Sequence, residues 1–229
     1  MEATTTPRPH YLRLWFWSAF VTLIAVINYV SRFSASNHDK VARVSVYSYS
    51  TFAGGMILYA VWLGIVLLIC VDRFDLLALR LPSSWKRAVG LAVAAMAAIW
   101  LWEGVVSLIP LPQSPGHEQG ITTVQWEPAH AGAFAANVVL FAVVAPFVEE
   151  LTFRGAGQSL LRFLGSVPSI LIVGTAFGLA HGLVEGLLVL IPFGIALAWL
   201  RDRTETVVPG MFVHALFNGA ALAAAVLLN

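Results

Sequence analysis

Seven apolar runs occupy most of the chain, and nothing else in the sequence limits its fold as strongly. They cover roughly Leu12 to Val30, Phe52 to Val71, Val89 to Ile109, Ala131 to Leu151, Pro168 to Leu183, Glu185 to Leu200 and Val207 to Leu228. A helix needs about 20 mostly apolar residues to cross the hydrocarbon core of a bilayer. Backbone groups in lipid must be satisfied within the segment, so the runs predict helices. They are too continuous for barrel strands, whose lipid-facing residues alternate with polar ones. Of the 229 residues, 59% are hydrophobic and 11% charged. A soluble domain carries about 25% charged residues. The fold expected is therefore all-α, a polytopic transmembrane bundle of seven or eight helices, with the lipid bilayer as its first partner. A formal net charge of +1 provides no basic field for nucleic acid. The single cysteine, Cys70, excludes an internal disulfide and reads as a small buried hydrophobe.

The first run is long for a cleaved signal peptide, and Arg32 follows it closely, so it reads as an anchor helix. The 110–130 loop is rich in Pro, Gly and polar residues and divides the chain into two regions. These are residues 1–130, a three-helix membrane region with its loop, and residues 131–229, a four-helix region that holds the chemistry. The fifth and sixth runs are short and meet at Gly182 to Gly186, which suggests a tight hairpin. Residues 153–166 look like an amphipathic piece lying on the membrane surface, with Leu160, Leu161, Phe163 and Leu164 beside Arg162. Arg73, Arg80, Lys86, Arg87, Arg154, Arg162, Arg201 and Arg203 fall on one side of the bundle, whereas the 110–130 loop has no Lys or Arg. The positive-inside rule then puts the N-terminus in the cytoplasm and the C-terminus outside, in a plasma (inner) membrane. Arg32, Lys40 and Arg43 in the 31–50 loop run against this assignment and are outnumbered. The eight tryptophans, mostly near predicted helix ends, read as interfacial anchors.

Ionisable residues inside membrane helices cost about 2.5–3.5 kcal/mol each on insertion scales, so their presence implies a use. Here they form three clusters in the second half of the chain. In the first, Glu150 and Arg154 are four residues apart and share a helix face, where they can pair. Glu149 is left on a different azimuth, free for proton transfer. In the second, Phe177 and His181 share a face of the fifth run, and Glu185 either orients His181 or caps the hairpin. In the third, His214 and Asn218 point the same way from the seventh run and suit hydrogen-bond donation to a developing oxyanion. The least costly burial turns all three faces toward one cavity, which makes a general acid–base site. Glu103, inside the third run, either lines that cavity or has a structural partner.

The ordered set Glu-Glu-x-x-x-Arg (Glu149, Glu150, Arg154), Phe-x-x-x-His (Phe177, His181) and His-x-x-x-Asn (His214, Asn218) resembles the CAAX-prenyl endopeptidase and bacteriocin-processing (CPBP, or Abi) family of intramembrane glutamic proteases. The resemblance spans roughly residues 132–222. It implies an endopeptidase in which Glu149 activates the attacking water with help from His181. By the same resemblance His214 and Asn218 stabilise the oxyanion and Glu150 completes the catalytic set, held with Arg154 at the helix end, while Arg154 and Phe177 support the site. The substrate it implies is a peptide, lipopeptide or protein. The site would lie near the cytoplasmic face, between the fourth, fifth and seventh helices.

Other intramembrane protease chemistries leave no motif here. His117-Glu118-Gln119-Gly120-Ile121 fails the zinc pattern HExxH at its last position, and neither Gly-x-Gly-Asp nor Gly-x-Ser-x-Gly occurs. The reading expects no cofactor, since no two histidines sit at ligand spacing on one helix. A divalent metal such as zinc, held by residues of separate helices, is the alternative. The non-enzymatic alternative is a membrane immunity or transport protein that uses the same polar cluster as glue or as an ion path. No inverted repeat supports a transporter.

Overall fold

The computed structural model describes residues 10–34, 46–111 and 126–227, and all of the regular structure among them is helical. Seven helices are described: α1 (Tyr11–Ser34), α2 (Tyr49–Ile69), α3 (Trp85–Val106), α4 (Pro128–Leu164), α5 (Ser166–Ala180), α6 (Leu187–Thr204) and α7 (Val208–Leu227). Five of them, α1 to α4 and α7, are long and apolar enough to cross a membrane. The outward faces of α1 and α2 are apolar, with Trp15, Phe16, Ile27, Ile57 and Leu68 all more than half exposed. Water would penalise such a surface and lipid tails do not. The protein is an integral membrane helical bundle. Lys40, Arg43, most of the 110–130 loop and the His117–Ile121 stretch lie outside the described residues.

The fourth run departs most from expectation. It does not end at Leu151 but continues as one 37-residue helix to Leu164. Residues 152–158 are fully buried, Arg154 and Gln158 included, so they are not an amphipathic piece on the membrane surface. Some of their polar groups reach neighbouring helices. Gln158 Nε2 donates to the Ala198 carbonyl at 2.9 Å, and Arg201 Nη2 donates to Ser159 Oγ at 2.7 Å. Arg154 and Arg201 are thus internal braces within helices, not loop charges. The cations exposed at that end of the bundle are Arg80, Lys86, Arg87, Arg162 and Arg203.

Two prolines inside helices explain two of the inter-helix bonds. Proline has no N–H, so it leaves the carbonyl one turn earlier without its donor. Pro192 in α6 does this to Leu188, and Trp102 Nε1 of α3 donates to that oxygen at 2.6 Å. In α4 a π turn over Leu140–Val144 precedes Pro146, and the Ala145 N–H bonds back to the Leu140 carbonyl. Phe141 then has no intrahelical donor, and Asn218 Nδ2 of α7 supplies one at 2.9 Å. Three tryptophans are therefore not simple interfacial anchors. Besides Trp102, Trp17 donates to the Thr152 carbonyl at 2.9 Å and Trp62 to Thr152 Oγ1 at 2.8 Å.

α5 and α6 are the short pair expected, and they pack almost backbone to backbone. A Cβ at Gly174 would lie 2.6 Å from the Ile195 nitrogen, so only glycine permits this approach. Gly182, at φ +67°, turns the chain between them in a conformation that side-chain-bearing residues rarely adopt. The end of α1 clamps this turn. Asn28 donates to the Ala180 carbonyl at 2.7 Å, Tyr29 to the Leu183 carbonyl at 2.8 Å, and Arg32 lies 3.8 Å from Glu185. Glu185 is thus part of the hairpin clamp. Cys70 is fully buried, and Glu103 is half-buried near the end of α3.

Candidate active site

The two glutamates sit where α4 is least regular. Ala145–Glu150 is a short α-helical stretch between π turns at Leu140–Val144 and Leu151–Gly157. π turns often mark functional sites, because each re-aims the side chains that follow it. Here they help set the azimuths of two adjacent carboxylates that face different partners.

Glu150 is wholly buried. Its Oε1 accepts hydrogen bonds from Arg154 Nη1 at 2.9 Å and from His214 Nδ1 at 3.0 Å. Its Oε2 has no hydrogen-bond partner and lies against Gly210, where an added Cβ would sit 3.0 Å away. Arg154 is equally buried. Its Nη2 donates to the Gly194 carbonyl of α6 at 3.1 Å, and its guanidinium lies 4.3 Å from the centre of the Phe177 ring. A buried cation needs this many partners because each one offsets part of the hydration lost.

Glu149 is 7% exposed. Its Oε1 accepts from the Tyr59 hydroxyl of α2 at 2.9 Å, and its Oε2 lies 3.8 Å from His214 Nε2. That second distance is too long for a hydrogen bond, but a water can bridge such a gap. His214 therefore stands between the two carboxylates, bonded to one and facing the other.

Phe177 links the two histidines. Its ring centre lies 4.7 Å from that of His181 and 5.6 Å from that of His214, with Phe153 and Phe193 closing the cluster at 5.3 and 5.8 Å. The Phe177 carbonyl accepts from His181 Nδ1 at 2.8 Å. A carbonyl cannot donate, so the proton is on Nδ1, and in the neutral ring the Nε2 lone pair remains available. His181 ends α5.

Six of the seven residues singled out in the sequence, Glu149, Glu150, Arg154, Phe177, His181 and His214, thus join through direct contacts or near-neighbour charges. Asn218 lies one turn beyond His214 on α7 and is tied to α4 at Phe141. That bond uses one of its two amide hydrogens. Sequence reasoning missed Tyr59, the Gly194 carbonyl and Phe193. Tyr59 carried one faint signal, as a phenol inside the otherwise apolar second run.

The bundle thus holds a carboxylate pair, an arginine and two histidines in one cluster. Residues 131–220 match the family model of the Rce1-like proteins, described as type II CAAX prenyl endopeptidase Rce1-like, and this segment is a domain of the CAAX protease (CPBP) family. A domain of that family implies a membrane peptide hydrolase acting on a peptide substrate. No curated protein and no solved structure matches the chain.

Proposed function

We propose that the protein is an intramembrane endopeptidase of the glutamic type, with Glu149 as the base. The observation that carries this reading is the double setting of Glu149. One oxygen is held by Tyr59 at 2.9 Å, and the other lies 3.8 Å from His214 Nε2, so that a water beside the pair can bond to both. In the proposed step that water loses a proton to Glu149 while its oxygen bonds to the scissile carbonyl carbon. The His181 Nε2 lone pair accepts the water's second hydrogen as a hydrogen bond and orients it. In its protonated form His214 gives Nδ1–H to Glu150 and keeps Nε2–H for the new oxyanion. The amide hydrogen that Asn218 does not use on Phe141 is the second donor. Glu149 then returns its proton to the leaving nitrogen as the C–N bond breaks. Glu150, Arg154 and Phe177 hold His214 and α4 in place.

Losing one oxyanion donor raises a barrier by about 2.7–4 kcal/mol. Asn218→Ala is expected to slow turnover about 100- to 1000-fold. Turnover within a few fold of wild type would remove Asn218 from the oxyanion site. The proposal uses no metal ion. Peptide cleavage should therefore be the same with and without a strong chelator; loss in chelator, restored by zinc, would replace this mechanism with the metal-dependent one.

The substrate proposed is a peptide or lipopeptide segment that enters the bilayer. C-terminal processing of a prenylated protein and removal of a leader peptide both fit. The cations exposed at the Arg162 end of the bundle support an N-terminus and a site on the cytoplasmic side of the plasma membrane. A reporter fused after Arg162 should be cytoplasmic, and an external reporter would reverse the orientation.

A further inference from the structure

α2 lies outside the Rce1-like segment, yet it reaches the centre of the site. The Tyr59 hydroxyl donates to Glu149 Oε1 at 2.9 Å, and no other hydrogen bond to the Glu149 carboxylate is found among the described residues. Several contacts fix the phenol in place. Its ring stacks on Trp62, 5.7 Å between centres with planes 19° apart. Trp62 in turn donates to Thr152 Oγ1 at 2.8 Å and meets the Phe20 ring edge-on at 5.7 Å. The start of α2 is held as well, because Asn137 Nδ2 of α4 donates to the Ser48 carbonyl at 2.9 Å. Tyr59 thus lies between two points at which α2 is bonded to α4.

We infer that Tyr59 is a positioning residue for the hydrolysis, and that α2 is therefore a part of the active site. The inference rests on Glu149 being the base. A glutamate side chain has three rotatable bonds, and a carboxylate held at one end only through those bonds samples many settings. The Tyr59 bond fixes Oε1 and so leaves Oε2 toward His214, where the water must lie. Loss of such fixation is felt in turnover more than in binding, since a misplacement of about 1 Å can cost roughly 100-fold.

The experiment compares Tyr59→Phe, Trp62→Phe and Glu149→Gln in the full-length, lipid-reconstituted protein. Tyr59→Phe keeps the ring and its stacking and removes only the donor. Its kcat is expected to fall about 10- to 100-fold with KM within about twofold of wild type. Infrared difference spectra provide a readout that packing alone does not move. The carboxyl band of Glu149, identified as the band lost in Glu149→Gln, should shift in Tyr59→Phe and stay in place in Trp62→Phe. Fluorotyrosine at position 59, a stronger donor on an intact ring, should shift the band in the opposite direction, which keeps the test open if Tyr59→Phe folds poorly. Wild-type kcat in Tyr59→Phe, or a Glu149 band unmoved by either change, overturns the inference while Glu149→Gln remains inactive. A Glu149→Gln protein that cleaves normally overturns the assignment of the base instead.

Discussion

Glu149→Gln is expected to lower kcat by about 100- to 10,000-fold, the range supplied by a positioned general base. Glutamine keeps the length of the side chain and can still accept from Tyr59 through its carbonyl oxygen, so the helix contacts survive. What it cannot do is take a proton from water. The loss should therefore appear in kcat, with substrate affinity and thermal stability close to wild type. Steady-state kinetics on any cleaved peptide, paired with a melting curve in detergent, separates these quantities. A Glu149→Gln protein that melts early would mean that the carboxylate is a structural partner of Tyr59 and His214, and the role of base would fail.

The second large effect concerns folding. Arg154→Ala removes the cation that lies 2.9 Å from Glu150 at a site with no solvent exposure for either partner. Truncating one member of a buried pair typically costs about 3–5 kcal/mol, because the remaining charge is left uncompensated. Glu150 Oε2 already has no hydrogen-bond partner, and only His214 would remain on Oε1. The Gly194 carbonyl and the Phe177 ring would also lose contacts. Equilibrium unfolding in mixed micelles should show a loss of this size. Replacing both partners by apolar residues of similar volume should cost less than the single change, since no orphaned charge is left. A single variant less than 1 kcal/mol weaker than wild type would mean that water reaches the pair.

The helices were legible in the sequence because lipid demands long apolar runs, and those runs leave few alternatives. The length of α4 was not. Arg154, Gln158 and Arg201 look like surface residues when only their own helix is considered, and their acceptors are Gly194 and Ala198 carbonyls and the Ser159 hydroxyl on other elements. A backbone carbonyl has no letter in the sequence, so a buried polar ladder built on carbonyls reads as amphipathic. The same blindness applies to the two prolines. Pro146 and Pro192 can be read as helix irregularities, but the pairing of their freed carbonyls with Asn218 and Trp102 requires the fold.

Within the site, spacings of four residues correctly put Glu150 with Arg154 and Phe177 with His181. They could not show that His214 bonds to Glu150 and faces Glu149, since that bond spans 64 residues. Tyr59 lies 90 residues from its partner and belongs to no motif. Glu185 was left between two readings by its spacing from His181, and its place 3.8 Å from Arg32 at the hairpin fits the second, a cap.

The most direct test of the central claim is cleavage of a mixed peptide and lipopeptide library by the purified, lipid-reconstituted protein, read by mass spectrometry beside Glu149→Gln. The account predicts defined products from wild type that disappear in the variant. Equal products from both proteins would contradict it.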